Sequence, residues 1–477
     1  MYQICIFLLI IFVVGCITKL CNFIIHFKKS ERLTMEDRMT SGPITKRILM
    51  FAMPILAGQI LQQLYNLVDS IIVGRFVGVS GLAAVGATWS LTYIVCYFCI
   101  GTCTGMSIPL SQAYGAGNLS GMRCYFINGI YISMILAFLM TTVTSLSSMQ
   151  LLKWLQTPDD IIQDAHIYLL TMFLGLPFTI LYNFCFGVLM AFGDSKKSSI
   201  FMFLSTILNL FFDLFTIIVL HWGVFGAAIS TIVSQAIAGF CSLFYILKKH
   251  KDLIPKKQEW NFQPDYVSNI IRMSVPMGLQ YSITAIGAII LQCSVNQLGS
   301  DAVAGFSAGS KVKSFCLCPL NALGTALSSF TGQNFGAGKI RRIQKGLKST
   351  ICIGLIYSIV IIILMLFASD KLAMIFVSSE QTQVISYVRE FIIYISFFQL
   401  ELAILFAVRY CVQGMGYGKY SIYSGLAEMA GRSLIAIFLV PIFRFHAVCW
   451  NEGVTFLAGI LVIVPVYFIL MKRICSK

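Results

Sequence analysis

The chain has 477 residues, of which 58% are hydrophobic and only 11% are charged. Soluble domains carry about 25% charged residues, so this composition excludes an ordinary soluble protein and indicates a polytopic membrane protein. The formal net charge of +15 does not indicate a nucleic-acid partner, because the Lys and Arg residues lie in short segments between apolar runs.

The first 38 residues form a hydrophobic leader that the sequence leaves open to two interpretations. The apolar run 4–17 is short for a membrane span, and no basic residue precedes it as in a signal peptide. Met35 and Met39 stand just before the first strong apolar segment. The leader is therefore either an extra N-terminal hydrophobic helix or upstream sequence included by the choice of start site.

Twelve apolar runs follow the leader, each about 20 residues long, which is enough to cross a bilayer as a helix. Their expected centres are Ile60, Val95, Ile135, Leu176, Leu208, Ser234, Ala285, Leu320, Val360, Phe397, Ala436 and Ile460. Basic segments alternate with loops that we expect to hold acidic residues instead, namely Asp159, Asp160, Asp370, Glu380 and Glu452. By the positive-inside rule, the basic side is cytoplasmic and both ends of the twelve-span core lie there.

The two halves of the core repeat each other across the polar segment 246–271. Pro54 matches Pro276, and the motif SQAYGAGN around Gln112 matches TGQNFGAGK around Gln333. The offsets are nearly constant, since 276−54=222, 333−112=221 and, for two glycine turns, 416−193=223. The predicted units are the leader 1–38, an N-terminal six-helix bundle 39–250, a cytoplasmic linker 251–268 and a C-terminal six-helix bundle 269–477.

Six spans per half give both halves the same orientation, related by an axis along the membrane normal. Two such bundles form a V with a cavity between them, and the sequence thus predicts an all-α integral membrane fold. This architecture supports alternating access to a site near the membrane midplane.

An acidic residue, Asp69, lies in the first span. A carboxylate at membrane depth costs about 2.5–3.5 kcal/mol on insertion scales, and such groups usually face a bundle interior or a water-filled path. Gln62 and Tyr65 precede it by seven and four residues and share its helix face. We predict that this face lines a substrate cavity; the alternative is a carboxylate that only bonds a neighbouring helix.

A second acid, Asp213, lies in the fifth span with Asn209 four residues earlier on the same face, and Thr231 lies on the next span. Oxygen ligands of this kind suit Na⁺, and paired carboxylates in a low dielectric equally suit a proton. Asp69, Asn209, Asp213 and Thr231 are therefore candidate cation-coupling residues, and metal ligands if the ion is Na⁺. Taken singly, Asn209 and Thr231 also suit helix–helix hydrogen bonds.

From about residue 40 onward, the chain resembles the multidrug and toxic compound extrusion (MATE) family, in particular its DinF-like branch. The resemblance rests on LYNLVDSIIVG, the Gln-x-Tyr/Phe-Gly-Ala-Gly motif in both halves, GDSKKS, and the Asn-x-x-x-Asp of the fifth span. It implies a twelve-helix V that expels cationic, amphipathic compounds in exchange for Na⁺ or H⁺. It also implies that Asp69, Asn209, Asp213 and Thr231 bind the cation and that Gln62 and Tyr65 line the same cavity. The other branch uses a glutamate in the seventh span, where this chain has Thr284.

Two further spans of the C-terminal half contain charged residues. Glu428 and Arg432 are one turn apart in the eleventh span, and this spacing predicts a structural intrahelical ion pair. Glu401, in the tenth span, has no partner on its own turn. We therefore predict that it faces the substrate cavity, where it pairs with Arg432 or meets a cationic substrate.

These features predict a secondary active transporter of the cell membrane that exports cationic or amphipathic small molecules. The alternative is a lipid-linked saccharide flippase, which would need a cationic cavity for pyrophosphate. The five His residues are scattered at helix ends and loops, so the sequence does not indicate an enzyme, nor a cofactor beyond the coupling ion. An ion channel would oligomerise around a pore, whereas here the pseudo-symmetry is internal, and we expect a monomer.

Overall fold

The computed structural model describes residues 39–376 and 380–476, so the predictions for the leader 1–38 lie outside the described residues. Over these ranges the chain is helical and has no strand. The twelve long helices are α1 (Ile44–Ile72), α2 (Gly78–Ala116), α3 (Leu119–Trp154), α4 (Ile162–Leu174 and Leu176–Ala191), α5 (Ser195–Asp213), α6 (Gly223–Lys249), α7 (Pro264–Asn296), α8 (Ser300–Gly336), α9 (Ile340–Phe376), α10 (Thr382–Gly414), α11 (Lys419–Leu434) and α12 (Phe445–Cys475).

Each expected span centre lies in the helix of the same rank. For the eleventh, Ala436 lies in the π-helical turn Ile435–Leu439 that extends α11. Ten of the helices are long and apolar enough to cross a membrane, and the two parts of α4, bent by 45°, make an eleventh span if counted as one. Helix α8 is as long and continuous, but it contains Lys311 and Lys313 and is not among these ten. The all-α membrane fold is confirmed.

Helix packing follows the sequence repeat. In the N-terminal half, α1 packs against α5, α2 against α4, and α6 against α4 and α5. The C-terminal half has the same pairs, with α7 against α11, α8 against α10, and α12 against α10 and α11. Between the halves, α2 packs along α7 and α8 packs along α1, which are again equivalent pairs. The two halves are thus two six-helix bundles related by pseudo-twofold symmetry.

Glycines allow the two halves to approach closely. A Cβ at Gly105 of α2 would lie 2.4 Å from the Cα of Ser274 in α7, and one at Gly278 of α7 would lie 2.3 Å from Oγ1 of Thr102 in α2. No larger side chain fits these positions without moving the backbone or a neighbouring side chain. At these glycines, the backbones of α2 and α7 therefore pack directly against each other.

The repeated Gly-Ala-Gly motifs bring together the C-terminal ends of α2 and α8. A Cβ at Gly115 would lie 1.9 Å from the carbonyl oxygen of Gln333, and one at Gly336 would lie 1.9 Å from that of Gln112. The two helix ends therefore cross where Gly115 meets Gln333 and where Gly336 meets Gln112. The protein is closed between its halves on the basic side, which we assigned to the cytoplasm.

The segment between α6 and α7 is attached to the N-terminal bundle. It contains the short 3₁₀ helices Lys251–Leu253 and Lys257–Glu259, and α7 begins at Pro264. The carboxylate of Glu259 accepts a hydrogen bond of 2.6 Å from Nε of Arg123 in α3. This contact holds the linker against α3 on the side that we assigned to the cytoplasm.

Candidate functional site

The centre of the candidate site is Asp213, which is completely buried in the last turn of α5. Its Oδ2 accepts two hydrogen bonds, one of 2.7 Å from the hydroxyl of Tyr65 and one of 3.2 Å from Nδ2 of Asn209. Tyr65 reaches it because α1 packs directly on α5. Asn209 reaches it because residues four apart lie on one face of a helix. The structure thus brings together three residues that the sequence singled out.

Asp69 lies one turn after Tyr65 on α1 and is half-buried, and its carboxylate lies close to both Asp213 and Tyr65. Two carboxylates close together at membrane depth repel each other strongly, since few water molecules screen their charges. A bound cation or a proton between them removes this repulsion. Gln62 lies two turns before Asp69 on α1 and is exposed.

The second oxygen of Asp213 has a different environment. Oδ1 is buried and has no hydrogen-bond partner in the described part of the chain. The Asp213 carboxylate as a whole also lies near the carboxylate of Asp69 and the hydroxyl of Ser230 on α6. A buried oxygen without a donor is costly, and this cost favours a proton or a cation at that position. Asp213 therefore has one oxygen fixed by the protein and one available for an exchangeable ion.

Thr231, a candidate cation ligand, makes a hydrogen bond within its own helix. Its hydroxyl donates to the carbonyl of Ala227 in its own helix at 3.2 Å. The neighbouring residue Ser230 approaches Asp213 instead and lies 2.9 Å from the hydroxyl of Thr216. Adjacent helix residues point about 100° apart, so Ser230 and Thr231 face different neighbours. The lone pairs of its hydroxyl oxygen can still coordinate a cation, so Thr231 stays a candidate ligand.

The backbone widens beside both acids. A π-helical turn, Val73–Val77, follows Asp69 by one turn, and another, Leu214–Val219, starts directly after Asp213. In the second turn Thr216 accepts or donates to Ser230, which joins α5 to α6 near the acid. Short π-helical turns occur often at functional sites, since the extra residue shifts the orientation of the side chains around it. Sequence patterns gave no sign of these turns.

The described residues do not form a metal site built from several His, Cys, Asp or Glu side chains. Within 39–376 and 380–476, no group of three or more His, Cys, Asp or Glu side chains could hold a metal ion. The available ligands are two carboxylates, the amide of Asn209 and nearby hydroxyls, a set of oxygen atoms that suits Na⁺ or a proton rather than a transition metal.

In the C-terminal half, the predicted intrahelical pair of Glu428 and Arg432 is wrong. Glu428 instead forms a buried ion pair with Arg409 of α10, and Arg432 forms one of 3.2 Å with Glu452. Each pair joins two different helices inside the bundle, so each buried charge has a partner of opposite sign.

Glu452, which we assigned to an outer loop, lies in α12 and is 2% exposed. Arg432 is therefore paired with Glu452, and the possible pair of Glu401 with Arg432 is not formed. Glu401 is half-buried on α10, and its Oε2 has no hydrogen-bond partner among the residues described. Its proposed contact with a cationic substrate stays a prediction.

Comparisons with known proteins agree with the twofold-repeated helical fold. The MatE family model matches residues 54–215 and 276–439, one match in each half. The probable multidrug resistance protein YpnP of Bacillus subtilis is 33% identical over 307 residues, covering 64% of this chain and 68% of YpnP. The probable multidrug resistance protein YoeA of the same organism is 26% identical, covering 75% of this chain and 79% of YoeA.

Among solved structures, an outward-facing multidrug resistance MATE family transporter of the MOP superfamily superposes with a TM-score of 0.86. The identity is 20%, and the match covers 94% of this chain and 100% of the other. At this level of identity the superposition establishes the fold.

Proposed function

The chain belongs to the MatE family of multidrug efflux transporters, and we propose that Asp69 and Asp213 are the residues through which it exchanges substrate for a coupling ion. The protein is a multi-pass protein of the cell membrane, and family membership implies transport rather than catalysis. The substrates we propose are cationic or amphipathic small molecules, and the coupling ion is H⁺ or Na⁺.

One observation supports this role for the acids. Oδ2 of Asp213 accepts hydrogen bonds from Tyr65 and Asn209, while Oδ1 is buried with no partner among the described residues, and Asp69 lies near this carboxylate. This arrangement positions the carboxylate and leaves one oxygen to take a proton or contact Na⁺. A cationic substrate is attracted to the charged pair, and a proton or Na⁺ that neutralises the pair weakens that attraction. Ion binding and substrate binding therefore oppose each other, which is the requirement for exchange.

Alternating access would convert this competition into export. The two halves meet along equivalent helix pairs, and bundles related in this way can rock about a site near the midplane. In our proposal, neutralisation of the acids changes the packing of α1 against α5 and α6 and so favours release of substrate to the outside. Since both halves of the path lie in one chain, we propose that the monomer is the working unit.

A lipid-linked saccharide flippase is not favoured. Such a substrate carries a pyrophosphate, which requires basic residues at the binding site. In the described part of the chain, the polar groups that bond to or lie near Asp213 include Tyr65, Asn209, Asp69 and Ser230, and none of these four is basic. The N-terminal site is thus matched in charge to a cation.

The proposal is tested with purified protein in liposomes loaded with a fluorescent cationic dye, under an imposed Na⁺ gradient or an imposed pH gradient. We expect dye movement under one of the gradients and its loss in Asp69→Asn. Asp370→Asn is the control, because Asp370 is about half exposed and pairs with Arg389 outside the site. Equal dye movement in the wild type and Asp69→Asn would contradict the proposed role of the acid.

A further inference from the structure

The segment 39–42, just before α1 of the N-terminal bundle, is bound by side chains of the C-terminal bundle, and we call this segment the strap. Each of its backbone carbonyls accepts a hydrogen bond from that bundle. Nη1 and Nη2 of Arg342 donate to three of these carbonyls at 3.0–3.2 Å, and Nζ of Lys339 donates to that of Thr40 at 3.0 Å. The three carbonyls bonded to Arg342 are those of Met39, Ser41 and Gly42. The start of α9 therefore recognises the strap through its backbone.

Side chains of the C-terminal bundle hold Arg342 in place. Its Nε donates to Oδ1 of Asn334 at 3.1 Å, and its guanidinium lies over the ring of Phe330, 5.7 Å from the ring centre. Nδ2 of the same Asn334 donates to the carbonyl of Met39 at 3.2 Å. The side chain of Met39 is 3% exposed and belongs to the same apolar cluster as Phe330 and Ile343. Because an arginine fork held in this way presents its donors at fixed positions, it is well suited to bind several oxygens at once.

Gln333 connects the strap to the side of the molecule that is closed, which we assigned to the cytoplasm. Its side chain is completely buried near the end of α8. Oε1 accepts a hydrogen bond of 2.9 Å from the backbone N–H of Met39, and Nε2 donates one of 3.0 Å to the carbonyl of Ala191 at the end of α4. If the strap left alone, this buried oxygen would lose its donor, which is costly. Release of the strap and separation of the two bundles should therefore occur together.

The other repeat holds the corresponding segment in a similar way. Helix α3 corresponds to α9, since 340−119=221, and the segment before α7 is bound to α3. Glu259 of that segment pairs with Arg123 of α3. The backbone N–H of Gln263 donates to Oδ1 of Asn128, also on α3, at 3.1 Å. Each bundle thus holds the segment that leads into the first helix of the other, and separation of the bundles on this side would pull on both attachments.

We propose that the strap is a latch, which holds the cytoplasmic side closed while it is bound to Arg342 and Lys339 and must leave them before this side can open. When it leaves, its carbonyls bond to water instead, so the release is reversible. The proposal rests on the alternating access proposed above, in which substrate enters from the cytoplasm. It adds the step that controls this entry, because the bound strap sets how often the protein opens inward.

Release of the strap is measured by alkylation of Met39→Cys in the purified protein, with the label at position 39 quantified by peptide mass spectrometry. The side chain at this position is buried while the strap is bound, so it reacts only after release. Arg342→Gln, added to this variant, removes three hydrogen bonds to the strap and should raise the labelling rate at least about tenfold. Arg341→Gln is the matched control, because it removes an equal charge from an exposed neighbouring position. Equal labelling rates with Arg342→Gln and with Arg341→Gln would overturn the proposal.

A second readout shows whether the strap controls the closed side. Amide hydrogen exchange over residues 188–194, where Gln333 bonds to α4, should rise in Arg342→Gln and stay at the wild-type rate in Arg341→Gln. Both measurements use protein without an ion gradient. Faster labelling of the strap with unchanged exchange over 188–194 would show that the strap moves without opening the protein, and would also overturn the proposal.

A reversible crosslink tests the latch without weakening it. The hydroxyls of Thr45 on α1 and Ser349 on α9 lie 2.7 Å apart, so the double variant Thr45→Cys and Ser349→Cys places two thiols where a disulfide can join these helices. Oxidation should stop dye movement in liposomes and a reductant should restore it, and the wild type, treated in the same way, controls for the native cysteines. Full dye movement by protein that mass spectrometry shows to be crosslinked would contradict the latch.

The labelling experiment does not depend on transport, so the two proposals can fail separately. Selective labelling and exchange in Arg342→Gln, in a protein whose wild type moves no dye under either gradient, would support the latch and overturn the antiport proposal.

Discussion

Gln112 and Gln333 hold matching positions in the two repeats and make matching hydrogen bonds across the molecule. Nε2 of Gln112 donates to the carbonyl of Gly414 at the end of α10, at 3.1 Å. Nε2 of Gln333 donates to the carbonyl of Ala191 at the end of α4, at 3.0 Å. Each glutamine therefore closes the C-terminal end of a helix in the opposite bundle. Together they hold the cytoplasmic side shut.

Replacement of both glutamines by alanine should open the cytoplasmic side. Each bond is worth about 1 kcal/mol, so the pair shifts the balance between closed and open forms by about tenfold or more. Amide hydrogen exchange over 188–194 and 411–417 should rise in each single variant and rise further in the double variant. Gln292→Ala, which removes an exposed side-chain bond to Asn296 on α7, is the control. Unchanged exchange in the double variant would show that these bonds do not hold the closed form.

Tyr65→Phe should weaken ion-driven transport without loss of the fold. The change removes the 2.7 Å donor to Oδ2 of Asp213 and leaves Asn209 as its remaining recorded donor. A bond to a charged group contributes about 1.5–3 kcal/mol, so the dependence of dye movement on ion concentration should shift by about tenfold or more. Tyr131→Phe loses a bond of similar length to the carbonyl of Trp260 at the linker and should transport normally. Equal behaviour of the two variants would contradict a role for Tyr65 in positioning Asp213.

The buried pair of Arg409 and Glu428 should respond asymmetrically to substitution. Arg409→Met leaves the carboxylate of Glu428 inside the bundle without its cation, and loss of one partner of such a pair costs about 3–5 kcal/mol of unfolding free energy. Replacement of both residues by Met and Leu removes both charges and should restore most of the melting temperature. Arg389→Met breaks an exposed pair with Asp370 and should have little effect. A double variant as unstable as the single one would indicate that shape rather than charge sets the cost.

His250, just after α6, should make stability depend on pH. Its ring stacks on Phe192 at 5.1 Å, and burial lowers its pKa below the ordinary value of 6.5. Above that value the ring is neutral in both the folded and the unfolded chain. As the pH falls through it, the unfolded chain takes up a proton that the folded chain resists, and stability is lost. The fall in melting temperature between about pH 7.5 and pH 5.5 should therefore be smaller in His250→Gln, whereas an equal fall would assign it to other groups.

Much of the fold could be predicted because it depends on local composition. A membrane helix needs about 20 apolar residues, and this requirement placed all twelve centres correctly. The repeat was visible since Pro54 and Pro276, and the two Gly-Ala-Gly motifs, serve the same structural role in each half. Spacing along one helix also brought Asn209 to Asp213, because that relation needs no knowledge of another helix.

Contacts between side chains on different helices were less predictable from the sequence. Whether Arg432 meets Glu428 on its own helix or Glu452 on another depends on helix rotation and register, which composition does not encode. The same is true of Ser230, which lies near Asp213 and was not among the candidates from the sequence. The π-helical turn after Asp213 rotates the following residues, and it has no signature in an apolar sequence such as LFTIIV.

The central claim is that one pair of carboxylates binds substrate and coupling ion in competition. The direct measurement is the affinity of the purified protein for rhodamine 123 at varied pH without Na⁺, and at varied Na⁺ at fixed pH, for the wild type and Asp213→Asn. We predict that wild-type affinity falls as one of the two ions is raised and that Asp213→Asn removes this dependence. The account would be contradicted if the wild-type affinity changed with neither pH nor Na⁺ concentration, or if Asp213→Asn kept the full ion dependence of the wild type.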